Sequence, residues 1–359
     1  MQHPDICIAG AGIVGVSLAL ELHRRGLRVT ILDRGLPLAE ASTAAAGMLA
    51  ATDPHNLPGL RPLAELSLAL YPEFLDRLAA LSSIRVPFQT QTTLQGLPSS
   101  TADTAKNILS TAELTQLLPS LNPRDHSFAL LEEQSVDPRQ LAAALLAAVL
   151  ATPVDLRPNT QVFAANDNGD SIEIHTSDET LSATCFVDCT GAWTSTTSSL
   201  LNLQVIPKKG QMLAVSLPPS LLLNLVVRTP DVYIVPRTSG PNAGRAIIGA
   251  TIEDVGFDKT PQIADIARLR LLAAKLLPPL ADAPQLEAWA GLRPATPDGL
   301  PILGPLLSHR NHLLATGHYK DGILLAPATA HLMAQLLIGE TPSIDLEPFS
   351  IARFDIPGA

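Results

Sequence analysis

Three glycines, Gly10, Gly12 and Gly15, follow the short apolar run Asp5 to Ala9, and an acid, Asp33, closes the next apolar run, Arg28 to Leu32. This spacing suits a dinucleotide. Gly10 permits a tight strand-to-helix turn, Gly12 lets the backbone approach a pyrophosphate, and Gly15 lets the helix pack closely on the sheet. Val16 to Arg25 carries apolar residues at helical spacing after this turn, and the free backbone N–H groups at the helix start favour an anion. Asp33, 18 residues after Gly15, is placed to accept both hydroxyls of an adenosine ribose. Its charge opposes a 2′-phosphate, so FAD or NAD fits better than NADP. The competing explanation is a packing turn that holds no ligand.

A second group of residues has the chemistry to hold a small carboxylate. Arg293, fixed by Pro294 and flanked by apolar segments, offers a planar guanidinium able to make two parallel hydrogen bonds to one carboxylate. A structural pairing with Asp298 or with a backbone carbonyl is the alternative. Tyr233 opens the strand-like Tyr233 to Arg237, where its hydroxyl either serves a ligand or is tied to the backbone. Arg237 reads as structural or inter-subunit. Ala44 to Met48 carries no reactive side chain, yet small residues there allow a flat ring to approach the backbone. Ser42 and Thr43 are placed either to bond phosphate or to cap the next helical turn. Gly322 and Ile323 begin an apolar helix after the loop Gly317 to Asp321 and offer N–H groups to developing negative charge. His318, beside them, reads as structural rather than as a base. No GxSxG, P-loop or HExxH occurs, no metal site is expected, and Cys7, Cys185 and Cys189 form no CxxC pair, which fits a reducing compartment.

The elements needed to position these groups alternate along the chain. Strand, glycine turn, helix and strand fill the first 33 residues. A helix over Ala64 to Leu81 follows despite Pro72, and then a polar, interrupted stretch from Ser83 to Glu133. Asp137 and Pro138 start a helix over Arg139 to Leu150, and Asn166 to Gly169 turns between two alternating strands. Leu203 to Thr251 is largely strand-like, Ile263 to Leu277 is helical, and Asn311 to Thr316 leads to a final helix from Ile323 to Ile338. The expected fold is α/β: a doubly wound FAD-binding domain formed by residues 1–82, 137–203 and 300–359, and a substrate domain on a mixed or antiparallel sheet formed by 83–136 and 204–299. The 359 residues suffice for two domains. They are 46% apolar and 16% charged with a net charge of −10, which argues against a nucleic-acid partner. No apolar stretch reads as a membrane span and the first lacks a basic leader, so a cytoplasmic protein is expected.

Six segments carry a specific resemblance: Ala41 to Leu49, Asp188 to Trp193, Tyr233 to Arg237, Ile248 to Thr251, Gly291 to Pro294 with Asp298 and Gly299, and Gly317 to Pro327. Together, and in order over almost the whole chain, they resemble the glycine oxidase (ThiO) branch of the FAD-dependent D-amino acid oxidase family. The resemblance implies FAD as cofactor, a small amino acid and molecular oxygen as substrates, and conversion of glycine through an imine to glyoxylate, with a role in thiazole synthesis for thiamine. Broader D-amino acid or sarcosine oxidases and related dehydrogenases are the neighbouring activities; a flavin-binding protein without turnover is the alternative of a different class. By the same resemblance Arg293 holds the substrate carboxylate and Tyr233 assists it. FAD lies against Gly10, Gly12, Ile13, Val14, Gly15, Asp33, Ser42, Thr43, Ala45, Ala46, Gly47, Met48, Val162, Gly191, Gly322 and Ile323. Met48, Ile252, His318 and Lys320 line the pocket. Lys320 stands where relatives often carry Arg, and Ile252, a stiff wall, where they often carry Met. A homotetramer is implied by analogy.

Overall fold

Ile6–Ala9 is buried along its whole length and lies inside a six-stranded sheet, the position in which a continuous apolar run is stable because both faces are covered. The computed structural model describes residues 3–98, 107–197, 205–306 and 309–354. Across the sheet the strands run Ile302–Leu306, His309–Thr316, Cys185–Asp188, Ile6–Ala9, Val29–Leu32 and Asp155–Arg157. All neighbours are parallel except the antiparallel edge strand Ile302–Leu306. Ile6 and Ile8 face one core with the helices Ile13–Arg24, Arg61–Ser82, Pro138–Leu150 and Gly322–Leu337. Cys7 and Ala9 face the other way, onto a three-stranded sheet whose Val162, Ala165, Ile172 and Ile174 cover them.

The helices are set by local chemistry and by each other. Asp137 caps Pro138–Leu150 by accepting the Arg139 N–H at 3.0 Å, satisfying one of the free donors of the first turn. In Arg61–Ser82, the Ser67 hydroxyl donates to the Leu324 carbonyl at 2.6 Å and the Tyr71 hydroxyl to the Ile323 carbonyl at 2.8 Å. Both bonds fix the first turn of Gly322–Leu337.

The second sheet has seven strands in the order Gln285–Ala295, Ile206–Ser216, Arg245–Gly249, Tyr233–Arg237, Val226–Arg228, Thr93–Pro98 and His126–Leu131. It is mixed, since Val226–Arg228 runs parallel to Thr93–Pro98 while the other pairs are antiparallel. Alternation divides its residues. Leu213, Val215, Ile234 and Ile248 pack with Ile266, Leu269 and Ala273 of the helix Ile263–Leu276. Ala214, Val226, Val235 and Ile247 face the opposite way and meet Ala46 of the first domain. The domain boundaries we propose, 1–82, 137–203 and 300–359 against 83–136 and 204–299, follow the alternation of the chain between the two large sheets; the one at 203/204 lies outside the described residues.

His312 exposes a measurable consequence of this packing. It is 3% exposed, meets Phe186 edge-on with ring centroids 4.9 Å apart, and neither ring nitrogen has a hydrogen-bond partner among the described residues. Burial, helped by nearby His309 and opposed by Asp167, pushes its pKa down to about 4 from 6.5. Between those values the unfolded chain binds a proton that the folded chain refuses, so stability falls as pH drops through this window. The loss is at most about 3 kcal/mol. Urea unfolding between pH 7 and 4.5 should show this decline, and it should be shallower for His312→Phe; an equally steep decline in that variant would remove His312 as its source.

Candidate active site

The carboxyl ends of the parallel strands face the second sheet across a continuous cavity of about 560 Å³, the usual ligand position in an open α/β sheet. Its nucleotide end is built largely from backbone. Gly10 adopts φ +97°, and a Cβ there would fall on the Cys189 carbonyl. Gly12 is different: a Cβ would meet only Ser42 Oγ, at an ordinary 3.5 Å. No internal clash demands glycine at position 12, but a side chain there would fill the cavity that Gly12 lines. Ser42 Oγ accepts the Ile13 N–H at 2.9 Å, which leaves its own O–H free to donate. Asp33 is held facing the glycine turn, accepting the Ala11 N–H on Oδ2 at 2.7 Å and the Gly35 N–H on Oδ1 at 2.8 Å. Each oxygen keeps a second lone pair for a ribose hydroxyl. Ile13, Val14, Val162 and Gly191 line the same end.

Two residues expected at the cofactor do not line this cavity. A Cβ on Gly15 would strike the Gly10 carbonyl, so its role is the close approach of helix to turn. Thr43 faces a second, small recess with Asp137 and Arg237, because the short helical turn Ala41–Ala44 presents Ser42 inward.

The middle of the cavity is formed by Ala45, Ala46, Gly47 and Met48. Trp289 Nε1 donates to the Ala44 carbonyl at 3.0 Å, and Arg237 Nη2 donates to the Ala46 carbonyl at 2.8 Å. Gly47 has φ +84° and no space for a Cβ beside the Val136 carbonyl and the Pro138 ring. Gly322 and Ile323 also line the cavity and begin Gly322–Leu337, where first-turn N–H groups lack intrahelical acceptors. The preceding Asp321 has its pKa pushed up to about 6 by burial, against the pull of Lys320 and with the like charge of Asp53 adding to the rise.

The far end is set by register in the seven-stranded sheet. Tyr233 pairs with Gly249, Gly249 with Met212, and Met212 with Trp289. Gly210 pairs with Gly291, and Arg293, two residues beyond Gly291, shares its face. All but Trp289, which borders the small recess, line the cavity. The Arg293 guanidinium lies over Gly210, where any Cβ would overlap it, and its Nη1 donates to the Thr251 carbonyl at 3.1 Å. It makes no ion pair among the described residues; Asp298 is instead bound by Arg353 at 2.6 Å. Beside Arg293 is the Tyr233 hydroxyl. Burial pushes the Tyr233 pKa up, Arg293 and Arg237 pull against that rise, and the group remains a neutral donor at ordinary pH.

The remaining expected residues take different stations. Met48 is half-buried and packs against the cluster of Ala46, Ala214, Val226, Val235 and Ile247, as Tyr233 and Trp289 do. His318 is 5% exposed, its Nε2 shares a hydrogen bond with Thr329 Oγ1 at 2.9 Å, and burial pushes its pKa down to about 4, so its ring is neutral. Lys320 has its Nζ 3.7 Å from Asp53 Oδ2. Ile252 lines the cavity but is 66% exposed; it stands at the rim and is no packed wall, because it follows the end of Arg245–Gly249. Sequence reading missed Gly210, Gly249, Gly291, Arg228 and Asp53, which also line the cavity, and Trp289, which lines the small recess beside it.

The family model described as FAD dependent oxidoreductase (DAO) matches residues 5–336. The chain belongs to this family. FAD is the family's cofactor, and the open backbone at Gly12, the carboxylate of Asp33 lining the cavity and the small-residue run fit it. The bifunctional protein ThiO/ThiG of Trichormus variabilis is 37% identical over 98% of this chain and 55% of that protein, so the chain spans about half the length of that relative. The glycine oxidase of Pseudomonas putida is 32% identical over 96% of this chain and 98% of its own. The crystal structure of glycine oxidase from Geobacillus kaustophilus superposes with a TM-score of 0.93 at 30% identity, covering 99% of this chain and 100% of that one.

Gly210 gives the site a test that does not touch a charged group. Gly210→Ala must displace the Arg293 guanidinium. Affinity for a small carboxylate, followed through the flavin spectrum, should fall at least about tenfold with flavin content retained, since a displacement of 1 Å suffices to cost orders of magnitude. Unchanged affinity would show that Arg293 does not depend on the space above Gly210.

Proposed function

We propose that this chain is an FAD-dependent oxidase of small amino acids with glycine as the simplest substrate, releasing glyoxylate, ammonia and hydrogen peroxide. The observation that carries this reading is Arg293: a half-buried guanidinium with no carboxylate partner among the described residues, facing the same cavity as the dinucleotide cradle. FAD, when bound, supplies the hydride acceptor and passes the electrons to oxygen.

The chain's own residues supply binding and orientation. Arg293 is already held by one bond to the Thr251 carbonyl, which leaves its remaining N–H groups for a substrate carboxylate. Charge-assisted, two-point contact fixes direction as well as position. Tyr233 donates a neutral third bond from the adjacent strand, and Gly249 beneath it leaves room for the phenol, since a Cβ would come within 2.5 Å of its oxygen. His318 is a poor base, because burial disfavours its protonated form. An amine that binds already deprotonated needs no side-chain base. With Ile252 at the rim, close steric selection falls to Met48 and Met212 beside Tyr233.

The names of the relatives support glycine as substrate and, through ThiO, a place in thiazole synthesis for thiamine. Among the described residues no helix is long and apolar enough to cross a membrane; a cytoplasmic location and a homotetramer belong to the same proposal, and sedimentation at several concentrations decides the latter.

The holoenzyme should be yellow and should bleach when mixed anaerobically with glycine. Arg293→Ala should lower kcat/KM for glycine by roughly 2 to 5 kcal/mol of transition-state binding, with flavin content retained. Arg293→Lys should recover part of that loss because charge returns without the planar fork. An equal loss toward an amine lacking a carboxylate would mark Arg293 as structural.

A further inference from the structure

Arg293 is set against a carbonyl that the strand ladder does not hold. The acceptor of its Nη1, the Thr251 carbonyl, lies two residues beyond the end of Arg245–Gly249, and the Thr251 N–H makes only a long bond, 3.3 Å, to the Gln211 carbonyl. What pins Thr251 is its side chain, in a residue only 3% exposed. Its hydroxyl accepts the Gln211 N–H at 2.9 Å and donates to Glu253 Oε1.

Behind Thr251 stands a buried polar network on the face of the sheet turned away from the cavity. Gln211 lies between Gly210 and Met212, which line the cavity, and shares its face with Leu213 on the helix side. The Gln211 side chain is buried. Its Nε2 donates to Glu253 Oε1 at 2.7 Å and to Asp265 Oδ2 at 2.9 Å, and its Oε1 accepts the N–H of Gln262, the residue that precedes the helix Ile263–Leu276. Both amide hydrogens and the carbonyl are therefore in use. Glu253 exchanges two backbone bonds with Lys209, at 3.0 Å each. The Lys209 ammonium, on a side chain 1% exposed, donates to the Thr260 carbonyl at 2.7 Å and lies 3.6 Å from Glu253 Oε2 and 3.7 Å from Asp258 Oδ2. Burial works against the Glu253 charge, but the bonds from Thr251 and Gln211 and the Lys209 charge outweigh it and hold its pKa below the usual range.

An apolar continuation of Leu213 and Val215 would serve the stability of this face as well, since buried charges return little net free energy. A satisfied polar network fixes one geometry instead, and the group at its end is the Thr251 carbonyl. We propose that Gln211, Glu253 and Thr251 are positioning residues for substrate recognition: through that carbonyl they hold the Arg293 guanidinium over Gly210, with its remaining N–H groups left for the substrate carboxylate. None of the three lines the cavity, so they act through Arg293 alone. The inference deepens the oxidase reading and rests on it for the identity of the ligand.

The test uses glycolate, glycine with a hydroxyl in place of the amine, titrated into the holoenzyme and followed by flavin absorbance, beside steady-state kinetics with glycine. Thr251→Val, which keeps the shape and removes the hydroxyl, should raise the glycolate Kd about tenfold, the size of one hydrogen bond to a charged group. KM for glycine should rise with it while kcat changes less than about threefold, because a contact made alike in the ground and transition states sets binding. Thr251→Ser should keep most of the affinity. Glu253→Ala should weaken glycolate in the same way and Glu253→Gln less, and Thr251→Val combined with Glu253→Ala should lose no more than either alone, as for two members of one chain of contacts. Lower thermal stability or flavin content with Kd and KM in place would mark the network as structural and overturn the inference. So would a loss in Thr251→Ser as large as in Thr251→Val. Should Thr251→Val not fold, Glu253→Ala, at a partly exposed position, decides. If glycolate binds and glycine leaves the flavin oxidised, the oxidase reading fails and the glycolate comparison still decides this one; a wild-type protein that binds no glycolate removes the carboxylate site and this inference with it.

Discussion

Two hydrogen bonds cross the junction between the sheets and hold the backbone on which the cavity depends: Arg237 Nη2 to the Ala46 carbonyl and Trp289 Nε1 to the Ala44 carbonyl. A run of three alanines and a glycine has no side chains with which to lock itself, so its position has to be imposed through its carbonyls. Arg237 is itself 3% exposed, and burial pushes its pKa down to about 10. Its nearest acid, Asp137, lies 3.8 Å away and caps the helix Pro138–Leu150. Burying such a pair gives little net stability, because the lost hydration offsets the attraction. What it contributes is geometry, linking the helix start, the small-residue run and the second sheet through one guanidinium.

The same sheet face solves a problem of clearance. Large polar groups must lie flat over a pleated surface, and a flat group requires its cross-strand neighbour to have no Cβ. Gly210 lies under Arg293, Gly249 under Tyr233, and Gly291 against Ala44. Glycine weakens a strand interior. Here the opposite face, with Leu213, Val215, Ile234 and Ile248 packed on a helix, supplies the apolar burial that holds these strands together.

This division explains what the sequence made legible. Gly10, Gly12, Gly15 and Asp33 act within one strand–turn–helix–strand unit, so their relation is carried by spacing and survives in one dimension. Asp137 with Pro138 is local for the same reason, and so is the hairpin turn expected at Asn166 to Gly169, although the strand runs on through Asp167 and the turn spans Asn168 to Ser171. Gly210 is legible only through its pairing with Gly291, 81 residues away, and Arg228 only through its pairing with Tyr233. Their registers depend on how non-adjacent strands meet, which no local pattern encodes. Arg293 was recognisable as a candidate cation; of its two structural alternatives, Asp298 is taken by Arg353 from near the end of the chain, while a backbone carbonyl, that of Thr251, does accept one of its N–H groups. Ile252 was placed as a pocket wall by the resemblance alone; the strand ends before it and its side chain stands at the rim, 66% exposed. Thr43 failed for a related reason, since a four-residue helical turn sends adjacent residues to different cavities.

The two ends of the cavity hold negative charge by different means, and the difference bears on how such a site changes. At the nucleotide end, first-turn helix N–H groups and the Gly10 backbone at φ +97° suit a ligand whose charge is spread over phosphates. Nearly any substitution at Gly10, or at Gly47 in the middle of the cavity, strikes a carbonyl, so this backbone tolerates little variation. The far end presents side chains instead, Arg293 and Tyr233, projected from strands whose backbone course does not depend on the head group. Exchanging one of them changes which small molecule is held while leaving the cradle in place. Arg228, which also lines the cavity, is costlier to change, because removing it leaves the buried Glu133 without its cation; a change there has to come with a change in that acid, which couples two positions far apart in the chain.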